Sequence, residues 1–272
     1  MKKGKMLWLF GMIALCLALY VVIDARLENT TNIIFGGVEG AYVKSDSVSF
    51  VDPNAVDQPE PTVDIWPQID ITLRQYTMVN NDNKLSSAFE PDVVACSKKS
   101  NIMFDSSAIA YLEDMLQAMD DAGIKYYLAS GYRSYSFQSQ LFNSKATQFA
   151  MELGISTDFN DPEYQQAVEK AKTVTAYPGS SEHQLGLCVD IYDKSRSKVY
   201  YDEMDKEVFD WLEEHCAEYG FIRRYPTKKL LLTGWDEPWH FRYVGVEAAK
   251  FIMENDICYE EFYAHYDPNF TY

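Results

Sequence analysis

The sequence predicts an α+β domain, a small antiparallel sheet with flanking helices, preceded by an N-terminal apolar segment and an extended linker. Three observations carry that reading. Apolar residues recur at helical spacing in several separate stretches. Short runs with strand-like alternation lie between them. Helices and strands do not follow the strict β-α-β rhythm of a parallel sheet.

The elements follow in chain order. "DSSAIAYLEDMLQAMDDAG", residues 105–123, puts Ile109, Leu112, Met115, Leu116 and Met119 on one helical face. Asp105 or Ser106 can cap its start and Gly123 its end. "IKYYLAS", 124–130, reads as a strand. Residues 134–154 and 161–175 read as two further helices, the second with Pro162 in its first turn. In "LGLCVDIY", 185–192, alternation places Leu187, Val189 and Ile191 on one face and Cys188, Asp190 and Tyr192 on the other. Residues 205–220 form a helix with Phe209, Leu212 and Cys216 inward and Gly220 at its stop. "FIRRYP", "LLLTG" and "WHFRYVG" are strand-like, and "GVEAAKFIMENDI" is a last short helix.

Composition narrows the function classes. The 272 residues are 47% hydrophobic and 15% aromatic, enough for a packed core. A net charge of −17 excludes nucleic acid and anionic membrane surfaces as partners, since both need a basic footprint. The N-terminus differs: Lys2, Lys3 and Lys5 precede 17 uncharged residues, 7–23. Residues 1–23 read as an uncleaved membrane anchor with the lysines inside, with a cleaved signal peptide as the alternative. Both export the domain. Residues 24–68, acidic and proline-rich, form an extended linker, and 69–272 form a monomeric domain on the outer face of the membrane. Outside the first segment lie Cys96, Cys188, Cys216 and Cys258, which an exported chain can pair in three ways or bury as free thiols.

Three stretches carry chemistry. "SSEHQLGLCVDIYD", 180–193, sets His183 seven residues before Asp190. Alone, this is half a metal site or two unrelated surface residues. "DEPWHFRYVG", 236–245, embeds Glu237 and His240 among Trp239, Phe241 and Tyr243, company that solvated loops seldom carry. Zinc hydrolases need a metal to acidify water and a carboxylate to take its proton. Residues three apart face opposite sides of a regular strand, so Glu237 is expected before the strand, at Pro238. "LASGYRSYSFQSQLF", 128–142, places Arg133 at a strand-to-helix turn, where a guanidinium can hold a carboxylate or an oxyanion or make a surface ion pair. Arg242, two residues past His240 on one strand face, is a further donor for a carboxylate.

Together the three stretches resemble the VanY-type D-alanyl-D-alanine carboxypeptidases, zinc enzymes of bacterial cell-wall metabolism with a hedgehog/D,D-peptidase-like fold. The S-x-H-x-x-G-x-A-x-D pattern matches Ser181, His183, Gly186 and Asp190. E-x-W-H-x-R-Y-V-G matches Glu237, Trp239, His240, Arg242, Tyr243, Val244 and Gly245. S-G-Y-R-S-x-x-x-Q matches Ser130 to Ser134 and Gln138. The resemblance spans about residues 76–264. It implies that His183, Asp190 and His240 hold Zn2+, that Glu237 is the general base, and that Arg133 polarises the scissile carbonyl. Ser181, Gln138, Tyr132 and Ser134 would contact the peptide, Ser181 near its terminal carboxylate. Cys188 stands where the family has alanine. It reads as a small buried residue, although its strand face would let it approach the metal.

The expected activity is removal of the terminal D-alanine from peptidoglycan stem peptides outside the cell. An L,D-carboxypeptidase or a wall endopeptidase would use the same zinc site. A non-catalytic wall-binding domain would need neither the donors nor Glu237.

Overall fold

The computed structural model describes residues 66–193 and 206–271. The anchor, 1–23, and all but the last three residues of the linker, 24–68, lie outside them. Among the described residues no helix is long and apolar enough to cross a membrane.

The core is a four-stranded antiparallel sheet. Its strands are β3 (Tyr126–Ser130), β4 (Cys188–Asp193), β6 (Glu237–Tyr243) and β5 (Phe221–Tyr225), in that spatial order. A hairpin of β1 (Val93–Cys96) and β2 (Lys99–Asp105) forms a second sheet. The sequence reading missed it because its residues alternate weakly and its two-residue turn, Ser97 and Lys98, carries no glycine or asparagine signal. Leu187, Val189 and Ile191 turn into the main core, as alternation requires, and meet Leu112, Met115, Leu116 and Met119 of α1 (Ile109–Asp121). Helix α1 starts after Ala108 with no side-chain cap, because Asp105 instead receives Ser107 and pairs with Arg74. Gly123, at φ +79°, takes the left-handed conformation that ends the helix.

Helix α2 (Tyr135–Leu153) is capped by Ser134, whose Oγ accepts the Phe137 N–H at 3.2 Å. It buries Phe142, Ala146 and Ala150 against Tyr164, Ala167 and Ala171 of α3 (Tyr164–Lys172), where the small residues allow close approach. Helix α4 (Lys206–His215) packs Val208 and Leu212 on the main core. A last cluster joins α5 (Val246–Glu254) and α6 (Tyr259–Tyr266) to Tyr76 and Met78. The aromatic tail packs on the domain as its composition suggests: His265 stacks on Trp66 with ring centroids 3.9 Å apart.

One strand reading fails. "LLLTG" is a single helical turn, Leu230–Thr233, stopped by Gly234 at φ +74°. Leucine is a strong helix former, and Leu231 is fully exposed, so no sheet face claims it. The cysteine alternatives also resolve: Cys96, Cys188, Cys216 and Cys258 are all buried and free.

Candidate active site

Two loops and two strands converge at one end of the sheet. The loop after β3 begins with Gly131. A Cβ there would lie 2.4 Å from the Met103 carbonyl oxygen of β2, so only glycine fits. Its own carbonyl oxygen lies 2.6 Å from His183 Nδ1, and the Arg133 N–H donates to the His183 carbonyl at 3.0 Å. The hairpin also binds the far side of the histidine turn, through the Asp105 N–H to the Gly186 carbonyl at 2.9 Å. Gly186, at φ +74°, reverses the chain into β4. His183 is thereby locked with Nε2 pointing into the cleft.

Strand pairing sets Asp190 opposite His240. His183 Nε2 lies 3.2 Å from Asp190 Oδ2, and His240 Nδ1 lies 3.2 Å from Asp190 Oδ1. Glu237 lies inside β6, not before it. The β5–β6 pairing slips between Arg223↔Phe241 and Tyr225↔Glu237, so β6 carries extra residues there. That bulge turns residues three apart onto one side, and Glu237 Oε2 comes 3.6 Å from His240 Nδ1. A cleft of about 360 Å³ opens over these groups. Arg133, Gln138, Ser181, His183, Glu237 and His240 are among its lining residues.

Behind the site lies a charge network invisible in the motifs. Glu182, fully enclosed, faces His240 Nε2 at 3.3 Å, so Nδ1 is left for the cleft. Glu182 Oε1 receives Arg224 Nε at 2.8 Å and lies 2.9 Å from Arg242 Nη1, close but out of line for a hydrogen bond. Arg224 in turn binds Glu260 of α6 at 2.6 Å. Burial alone would push the Glu182 carboxyl up, but the two guanidinium groups hold it well below the usual carboxylate range. Each ring's outer nitrogen is held by an acceptor, which fixes the inner one toward the centre. Glu182→Gln is therefore expected to weaken metal retention by about 10–100-fold without removing a donor from the cleft. Competition against a chelator, with metal counted by elemental analysis, measures this.

The same network removes Arg242 from the cleft. Its side chain is fully enclosed, and Nη2 donates to the Gln75 and Thr77 carbonyls at 2.9 and 3.1 Å. Strand alternation gave its side of the sheet, but a buried cation goes where acceptors are. Ser134 is spent on capping α2, and neither it nor Tyr132 lines the cleft. Gln138 is 1% exposed and acts on Arg133: its Oε1 accepts Nη1 at 3.0 Å while its own Nε2 donates to the Ala176 carbonyl.

The electrostatics suit a cation. Burial and Arg133 push His183 down, yet Asp190 and Cys188 bring it to about 9. His240 is likewise held well above the usual value against burial, by Cys188 and Asp190. Burial opposes ionisation of Asp190, but both histidines hold it well below the usual range. Asp190 Oδ1 is buried and makes no hydrogen bond. Two imidazole nitrogens and a carboxylate with an orphaned oxygen, open on one side to a cleft, are the donor set of a catalytic zinc site. Glu237 differs. Burial raises its carboxyl above the usual range, and Asp190 adds to this against the pull of His240, as befits a proton acceptor.

The family described as VanY, D-alanyl-D-alanine carboxypeptidase, matches residues 101–246. A D-alanyl-D-alanine carboxypeptidase of Enterococcus faecalis is 36% identical over 68% of this chain and 64% of its own length. The crystal structure of a vancomycin-resistance D,D-pentapeptidase VanY in complex with Zn(II) shares 34% identity, with TM-score 0.57, covering 70% of this chain and 99% of that one. The LdcB LD-carboxypeptidase shares 31% identity, also with TM-score 0.57, over 73% of this chain and 92% of that one. Sequence, fold and the converging donors thus lead to one conclusion: the chain belongs to the VanY D-alanyl-D-alanine carboxypeptidase family.

Proposed function

We propose that the chain is a zinc-dependent D,D-carboxypeptidase that removes the terminal D-alanine from peptidoglycan stem peptides, acting outside the cell as a monomer on an N-terminal anchor. The observation that carries it is the division of labour in one cleft: His183, Asp190 and His240 meet as metal donors, while Glu237 stands beside them with a raised pKa. His183 through Nε2, His240 through Nδ1 and the Asp190 carboxylate would hold the zinc. When bound, it lowers the pKa of water and polarises a carbonyl. Glu237 takes the proton of the attacking water and passes it to the leaving amine. Arg133, braced by Gln138, faces the oxygen where negative charge develops. Ser181, on the cleft wall, receives the terminal carboxylate.

Export and anchoring are supported by the lysines and the uncharged segment at the N-terminus. A second reading, L,D-carboxypeptidase, is favoured by the LdcB likeness at an equal TM-score. Incubating purified chain with a stem pentapeptide ending in D-Ala-D-Ala, with its C-terminal amide and with the stem tetrapeptide, whose scissile bond follows an L-centre, then weighing the products, tests the proposal. Release of one alanine from the acid, and little from the amide, is expected, because unpaired donors in a desolvated site reject a substrate lacking their partner. Faster cleavage of the tetrapeptide would move the enzyme to L,D specificity, and equal cleavage of acid and amide would make it an endopeptidase.

A further inference from the structure

Cys188 is fully enclosed, yet it is not part of the apolar clusters that take in Cys96 and Cys216. It leads β4, two residues before Asp190 and on the same strand face, while Leu187 and Val189 turn away into the core. Its Sγ, a His183 nitrogen and a His240 nitrogen all lie within 4.8 Å of one another. A thiol pointed between two imidazoles that already hold their outer partners, beside a buried carboxylate oxygen with no hydrogen bond, sits where a metal would gather ligands.

We propose that Cys188 is a fourth metal ligand of this chain, making the centre His183, Cys188, Asp190 and His240. The inference rests on the zinc reading above. A thiolate is a softer donor than the three the motifs supply, so the centre prefers zinc and other thiophilic ions to hard ones such as magnesium or manganese. Binding is coupled to loss of the thiol proton to solvent, and retention falls as pH drops. The sulfur takes the position that a three-ligand zinc site leaves to water, so a catalytic water would enter as a fifth ligand, an expansion that zinc centres make in the transition state.

Cobalt(II) reports sulfur ligation directly. Full-length wild type and Cys188→Ala, both stripped with a chelator, are titrated with cobalt(II) while the near-ultraviolet spectrum is recorded. The alanine variant keeps the fold, since it only removes one buried atom. Expected are one cobalt per chain in each, a thiolate-to-cobalt charge-transfer band in wild type alone, and binding about 10–100-fold weaker in Cys188→Ala, at least the scale of losing an outer partner. One cobalt bound to wild type without that band overturns the proposal and leaves the zinc reading standing. A band that persists in Cys188→Ala overturns it too, by assigning the sulfur elsewhere. Failure of both proteins to bind cobalt overturns the zinc reading itself and the proposal with it.

Discussion

Glu237→Gln is expected to keep its metal and to lose roughly 10²–10⁴ in turnover, the usual scale for general-base catalysis. The amide has the size of the acid but cannot accept a proton at neutral pH. Its place in β6 makes the separation of roles clean. The bulge brings Oε2 to 3.6 Å from His240 Nδ1, near the donors, while burial keeps the carboxyl proton-hungry. A metal ligand would instead be expected to sit low, as Asp190 does. Steady-state kinetics with parallel elemental analysis decides the matter: loss of metal in this variant would make Glu237 a ligand.

His240→Ala should release the metal and abolish turnover while the chain stays folded. It removes one of the converging donors, a larger loss than that of an outer partner, which alone costs about 10–100-fold in affinity. Folding survives because Glu182, which faces His240 Nε2, still has Arg224 and Arg242 as charge partners. A stability cost of about 1–3 kcal/mol, ordinary for a buried truncation, is expected in denaturant melts. Undiminished metal in folded His240→Ala would remove this residue from the centre.

How much of this was legible in the sequence depended on distance along the chain. His183 and Asp190 share one short stretch and His240 lies 50 residues beyond Asp190, so the local patterns alone left the pair open, and only the resemblance of three ordered motifs joined these residues into one site. The side each residue faces was legible in β4, where alternation holds through Leu187, Val189 and Ile191. It failed in β6, because a bulge is set by the partner strand and leaves no mark in the period. Arg242 shows the same limit. Its strand position was readable, but its partners are carbonyls at Gln75 and Thr77, more than 160 residues away. Glu182 sits inside the histidine motif and still went unnoticed, since its role appears only with Arg224, 42 residues on, and His240, 58 residues on. The signal available was an acid next to a candidate ligand in a chain whose buried charges must pair. "LLLTG" could not be assigned by composition, because a short apolar run serves a strand or a helical turn equally well.

The most direct test of the account is anomalous diffraction at the zinc edge from crystals of the metal-loaded protein. The account predicts one strong peak at bonding distance, about 2.0–2.2 Å, from His183 Nε2, His240 Nδ1 and an Asp190 carboxylate oxygen, with Cys188 Sγ at about 2.3 Å if the thiolate is the fourth ligand, and with Glu237 beyond that reach. A peak bound instead through His240 Nε2, or one coordinated by Glu237 in place of Asp190, would contradict it.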